Sequence, residues 1–304
     1  MKALKIILIG LSFGLFITSC KKEDPLGSVE NIPGLGGDTW APGAIDKWIY
    51  DSLTAPYNIA VKYKWDQFEL SLNRTLVPPK EEKVIPALSS IAKGWINPYV
   101  KEAGLPFFKN VSPKFFDLVG SASYNSDGSI TLGTAEGGRK VVLYVLNNFR
   151  IKGMPGYTLS DTSTVIEMFH TIQHEYAHIL DQNVKIPTEF SQSSASAYTS
   201  DWTNVNPQEA LYDGFISQYS ISQKGEDWAE MVSLMLVKGR PWFENLVNSI
   251  NYTGTTPNGT TAAVAKARLR QKESAVVSYF KQAWNIDFYS LQTRVKTAIN
   301  ALLY

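Results

Sequence analysis

The stretch His174-Glu175-Tyr176-Ala177-His178 lies inside an apolar run from Val165 to Leu180, and it restricts the chain more than any other feature. Histidines four residues apart stand one above the other on a helix face, so the pair converges only if this segment is helical. Two neutral imidazoles so placed can grip one zinc ion, and the glutamate beside the first can reach a water on that ion. The chain has only 3 histidines, so the pattern is not a by-product of a histidine-rich composition. Asp161 or Thr162 is the expected cap of this helix, which should carry Glu167 as well and run to about Gln182.

A catalytic zinc takes three protein ligands and keeps one position open. His170, the only other histidine, sits one turn before His174. Three histidines at i, i+4 and i+8 cannot meet on one small ion, because each step climbs about 6 Å along the axis. His170 is therefore expected as a packed or partly exposed helix histidine. Cys20 is the only cysteine, which leaves the body of the chain without an internal disulfide or a thiolate site. The third ligand must then be a carboxylate. Glu226 and Glu230 lie four apart on one face of a clear helix over 226–238, ended by Gly239 and Pro241. A glutamate buried among apolar neighbours needs a metal or a partner. A glutamate in a first helical turn can equally be placed by the helix dipole alone.

Residues 1–20 read MKALKIILIGLSFGLFITSC, with Lys2 and Lys5 ahead of an apolar core from Ile6 to Ile17. That core is too short for a membrane span and suits a secretory signal. Ile17-Thr18-Ser19-Cys20 looks like a bacterial lipobox, so residues 1–19 are expected as a signal peptide and Cys20 as the lipid-carrying first residue. The acidic pair Glu23-Asp24 resembles a surface-export tether, and the Pro- and Gly-rich residues to 44 suit a flexible linker. With 29 basic and 28 acidic residues the net charge is +1. Loss of Lys2 and Lys5 leaves 27 against 28, or −1, and no basic patch suggests nucleic-acid binding.

The remaining 45–304 is long enough for one large domain, divisible at 182 into a sheet-bearing half and a helical half. A short helix is expected over Ile45–Leu53, stopped before Pro56, then a strand over Tyr57–Trp65. A helix from Glu81 to Glu102 should be interrupted near Pro86 and Pro98, with Ile85, Leu88, Ile91, Trp95 and Tyr99 buried. Phe115–Tyr124 and Ser129–Leu132 flank a hairpin signal at Ser126-Asp127-Gly128, and Gly137-Gly138 precedes a strand in Lys140–Asn147. These strands suggest a small mixed or antiparallel sheet with an edge free to line a cleft. Residues 183–225 show little periodicity, and a loop of that length is usually functional. Helices follow near Thr261–Trp284 and Asp287–Leu303. Strands first and helices after argue an α+β fold.

The pattern Tyr219, six residues, then Glu226-Asp227-Trp228-Ala229-Glu230 is similar to that of the anthrax lethal-factor-like gluzincins. The resemblance spans roughly 165–240 and implies a zincin-like fold. It implies Glu226 as the zinc ligand, Tyr219 as the residue assisting the reaction, and Glu230 or Asp181 as support behind the ligands. The whole chain, lipobox included, resembles the zinc-binding metallopeptidase lipoproteins also called substrate import-associated zinc metallohydrolase lipoproteins. That implies an outer-membrane lipoprotein, periplasmic or cell-surface facing, beside a nutrient importer. The implied activity is peptide-bond hydrolysis, with Zn2+ on His174, His178 and Glu226, Glu175 as general base and Tyr219 donating to the oxyanion. Peptide or protein is the expected substrate. The competing reading is a zinc-containing lipoprotein that captures peptide or glycan for the importer without cutting it.

Overall fold

A helical crossover sets the first parallel pair of the sheet. The computed structural model describes residues 41–66, 74–124, 130–131, 133–136 and 140–304. The leader, Cys20, the linker through residue 40 and the turn residues Ser126-Asp127-Gly128 and Gly137-Gly138 lie outside the described residues. Strand β1 (Ala60–Lys62) is followed by helix α2, built of Glu81–Ile91, a π-helical stretch Ala92–Ile96 and Asn97–Ala103, and by α3 (Leu105–Val111). A strand that returns through helices pairs parallel, and β2 (Phe115–Leu118) does so, with Ala60 opposite Phe115. Next come β3 (Ser123–Tyr124), β4 (Ile130–Thr131), β5 (Gly133–Glu136) and β6 (Lys140–Leu143).

The hairpin signal joins only β3 and β4, which form a separate two-stranded ladder. The main sheet has the order β1-β2-β6-β5, parallel except for β5, which runs antiparallel to β6 at one edge. The expectation of a mixed sheet thus holds, while the antiparallel alternative does not.

Three expected helix breaks are absent, and at the first of those in α2 Pro86 lies inside the unbroken stretch Glu81–Ile91. Helix α1 comprises Ala44–Ile49, a π-helical stretch Tyr50–Thr54 and Ala55–Tyr57, so it runs through Pro56. It ends where Asn58 turns left-handed at φ 59°. In both α1 and α2 a widened π turn directly precedes the proline-bearing segment. Such a turn absorbs a missing backbone donor that would otherwise break the ladder. The strand expected over Tyr57–Trp65 shrinks accordingly to Ala60–Lys62.

Helix α4 (Asp161–Asn183) carries the histidine motif, and α7 (Lys224–Lys238) carries Glu226 and Glu230. Between them α5 (Thr188–Gln192), α6 (Pro207–Tyr212) and three 3-10 turns replace the patternless loop expected over 183–225. This segment has its own small core of Ala197, Ala210, Phe215 and Ile221. Helices α8 (Arg240–Ser249), α9 (Ala262–Trp284) and α10 (Phe288–Leu303) complete the chain. Gly239 and Pro241 hide the separate helix α8, because the same residues that stop α7 start the next helix.

Residues Pro42–Tyr304 form one compact unit. Its main hydrophobic core takes in Trp95 and Phe116 from the first half as well as Trp228 and Phe280 from the second, so residue 182 does not divide the core. Among the described residues no helix is long and apolar enough to cross a membrane.

The face that α4 presents is set by its apolar residues. Val165, Phe169, Ile172, Tyr176, Ile179 and Leu180 are buried at three- and four-residue spacing. Tyr176, inside the histidine motif, is wedged edge-on against Trp95 at 5.2 Å and Tyr99 at 4.9 Å. Burying Tyr176 and Ala177 turns His174, Glu175 and His178 away from the core. Helix α2 approaches α4 at Gly94, where an added Cβ would lie 2.4 Å from the buried Phe169 ring. Gly94→Ala is expected to destabilise the domain by about 1–3 kcal/mol through overpacking. Chemical denaturation checks this, and an unchanged midpoint would remove Gly94 as a packing determinant.

Candidate metal centre

Helix α7 lies against α4 and is buried on nearly every side, from Asp227 to Val237. The crossing brings side chains more than forty residues apart into contact. Glu226 Oε2 stands 3.0 Å from His174 Nε2 and 3.3 Å from His178 Nε2, and the two imidazole nitrogens are 3.2 Å apart. Ligands about 2.0–2.1 Å from one tetrahedral zinc stand roughly 3.3 Å from each other, so these three atoms have the spacing of a shared ion.

The protons agree with that spacing. His174 Nδ1 donates to Glu230 Oε1 at 2.8 Å, so that once the ring gives up its other proton the lone pair is on Nε2, facing Glu226 and His178. With that proton lost, three electron-rich atoms converge, an arrangement that a cation satisfies in its place. The donor set, two nitrogens and a carboxylate oxygen, suits zinc.

Glu230 is the hub behind this triangle. It is almost fully buried and accepts from His174, from His170 Nε2 at 2.8 Å and, on Oε2, from Ser217 Oγ at 2.6 Å. A carboxylate that holds the far nitrogen of a ligand histidine fixes the ring and its tautomer. His170, Glu230 and His174 also lie close enough together to hold an ion. In that group, however, Glu230 is already supplied with three donors. His170 has its other nitrogen 3.5 Å from Glu167 and so faces carboxylates on both sides, as a cation does. His170 is thus more than a bystander on the helix: its charge offsets that of Glu230.

Electrostatics follow from burial and pairing. Without a metal ion, burial disfavours charge on His174, but its bonds to Glu226 and Glu230 outweigh this and raise it to about 10. His170 is likewise opposed by burial, yet Glu167 and Glu230 raise it to about 9. Burial also works against ionisation of Glu226 and Glu230, and the histidines bonded to each overcome it, holding both carboxyls well below their usual range.

Tyr219 is 37% exposed and stacks on the His174 ring, with centroids 5.9 Å apart at 24°. Burial raises its hydroxyl, followed by the negative charge of Glu226, so it remains a proton-bearing donor at neutral pH. Trp202 packs edge-on against Tyr219 at 4.9 Å. The Gln218 amide ties down the adjacent turn by donating to Val205 O at 2.7 Å and to Trp202 O at 3.2 Å. Glu175 is half-buried on the same side of α4, and its charge acts on both His174 and Tyr219.

Asp181 is placed elsewhere. Its carboxylate accepts from Ile186 N–H at 3.0 Å and meets Lys185 at 3.6 Å, so it shapes the exit of α4 and supports no imidazole. The physical reason is the helix turn: three residues beyond His178, Asp181 points to the chain that leaves the helix. Sequence reasoning missed Ser217, Trp202 and the buried pair Asp227–Lys272, in which Lys272 Nζ lies 2.7 Å from Asp227 Oδ2. None of these carries a local spacing signal. An aspartate inside an apolar helix and a lysine among core residues of α9 were the only hints.

Two histidines on helix α4, joined by a glutamate from a second helix, define a candidate zinc centre of the hydrolase kind. Residues 38–289 match the family model described as "Putative zinc-binding metallo-peptidase", and the chain belongs to that family. It is similar to the crystal structure of a putative zinc-binding metallo-peptidase from Bacteroides caccae ATCC 43185, with 28% sequence identity and a TM-score of 0.65. That similarity covers 85% of this chain and 92% of the other. Among curated proteins none matches.

Proposed function

We propose that the chain is a zinc metallopeptidase of the cell envelope, with His174, His178 and Glu226 as metal ligands and Glu175 as general base. The observation that carries this is the triangle of His174 Nε2, His178 Nε2 and Glu226 Oε2, with sides of 3.0–3.3 Å, directly beside Glu175. Zinc bound there supplies a Lewis acid and lowers the pKa of its water towards about 7.

The chain's own residues supply the rest. Glu175 accepts the proton of the attacking water and later delivers it to the leaving amine. Tyr219, held over His174 by Trp202, donates its hydroxyl proton in a hydrogen bond to the developing oxyanion. Glu230 keeps His174 in the tautomer that presents Nε2. The arrangement is that of a gluzincin, in which the third ligand comes from a glutamate on a second helix.

The lipobox ending at Cys20 supports attachment to the outer membrane through lipid, and the family resemblance supports action beside a nutrient importer. Metal analysis of the purified mature domain with a peptide-library cleavage screen tests this reading. Stoichiometric zinc with cleavage supports it. Zinc and bound peptide without cleavage would favour capture for the importer instead.

The two carboxylates are separable by zinc content. Glu226→Ala is expected to lose the metal at concentrations where the unaltered domain is saturated. Glu230→Ala is expected to retain it with an affinity about 10- to 100-fold weaker. Equal retention in both variants, measured by metal analysis after dialysis, would remove Glu226 from the ligand set.

A further inference from the structure

A cavity of about 160 Å³ opens between the chain leaving β6 and the first two turns of α4. Val145, Leu146 and Phe149 line one side, and Thr164, Glu167 and Met168 the other. A cavity of ~150 Å³ with apolar walls is large enough to take a benzene ring. Val145 holds φ at 65°, a left-handed conformation that a β-branched side chain rarely adopts. Backbone of this kind persists only where its surroundings dictate it, and it clusters at binding and catalytic sites.

The cavity lies on the same face of α4 as the metal centre. Thr164, Glu167, Thr171, Glu175 and His178 follow one another at steps of three and four residues, so they share a stripe of the helix. All five are partly exposed, whereas the opposite face is core. Edge strand β5 runs beside the same helix and offers an unpaired backbone edge among the described strands. From the Thr164–Met168 wall to Glu175 the helix rises about 10–16 Å. An extended peptide covers that distance in roughly three to five residues.

We infer that this cavity is a distal specificity subsite, which takes an aromatic or large aliphatic side chain three to five residues from the bond cut at the metal. The inference rests on the peptidase reading. Glu167, whose carboxylate is drawn to His170, makes the rim unfavourable for acidic side chains. Substrates long enough to span both sites are bound at two places, so short peptides lose affinity.

The test is a set of otherwise Ala- and Ser-based peptides with a single Phe moved along the chain. The unaltered protein is compared with Thr164→Trp, which fills the cavity, zinc content and unfolding being checked in both. A Phe three to five residues from the scissile bond is expected to raise kcat/KM at least about tenfold. Thr164→Trp is expected to abolish that preference. Should Thr164→Trp not fold, Val145→Gly removes a wall while suiting the local φ, and it is expected to weaken the preference in the same way. Cleavage with no positional preference, or with the same preference in the filled variant, overturns the subsite and leaves the peptidase reading standing. If no peptide is cleaved, the peptidase reading fails. Binding of the same peptides to the zinc-loaded protein then decides the subsite: loss of Phe-dependent binding in Thr164→Trp upholds it, and equal binding overturns it.

Discussion

Glu175→Gln is expected to keep its zinc and to lower peptide turnover by about 10²- to 10⁴-fold. The substitution preserves the shape of the side chain and removes only its ability to take a proton. Glu175 is outside the triangle formed by His174, His178 and Glu226, so the ligand set survives intact. Its charge nevertheless reaches His174 and Tyr219, as expected of a group at the mouth of the site. Metal analysis and single-turnover kinetics on one cleaved peptide separate the two effects. Retained zinc with lost turnover supports the base assignment, and unchanged turnover sinks it. Loss of zinc would show instead that Glu175 helps hold the ion.

The second large effect is on stability. Lys272 and Asp227 are both 0% exposed and meet at 2.7 Å. Lys272 also donates to Gly214 O at 3.0 Å and lies 4.0 Å from the centre of the Phe215 ring. Tyr198 OH donates to the same Asp227 oxygen at 2.8 Å. Burial pushes the Asp227 carboxyl up and the Lys272 amine down, and each partner resists the shift of the other. Lys272→Met strands a buried carboxylate and is expected to cost about 3–5 kcal/mol.

Adding Asp227→Leu to that variant should recover much of the loss, since replacing a whole buried pair by apolar side chains is often near neutral. Urea unfolding of the two single variants and the double variant measures both. A loss under about 1 kcal/mol for Lys272→Met would show that Asp227 is neutral in the folded protein. Asp227 directly follows Glu226, so the pair also anchors the first turn of α7 to α9 and to the 198–215 segment. Zinc affinity should therefore fall in Lys272→Met together with stability.

His174, Glu175 and His178 were legible because the helix period alone places two imidazoles together. Glu226 was legible because composition eliminates other ligands and the resemblance to gluzincins singles out its position. Helices α4, α7, α9 and α10 were readable from their apolar periodicity, and the α+β class from the order of elements. The sheet was only partly readable, since a two-residue hairpin mimics a longer one until a parallel partner claims the neighbouring strand.

Proline misled at Pro56, Pro86 and Pro98; π turns carry the helix through at the first and last, and Pro86 sits within an ordinary α-helical stretch. The path of residues 183–225 was beyond reach, because its short helices are stabilised by a satellite core and by single bonds such as those of Gln218. What the sequence determined is a helix that brings two imidazoles together, from spacing within one element, and a carboxylate as the candidate third ligand, from composition and family resemblance. What only tertiary structure decided is which partners stand behind the ligands. Glu230, Ser217, His170 and the Asp227–Lys272 pair act through contacts across elements, and such contacts depend on how helices cross rather than on any local repeat.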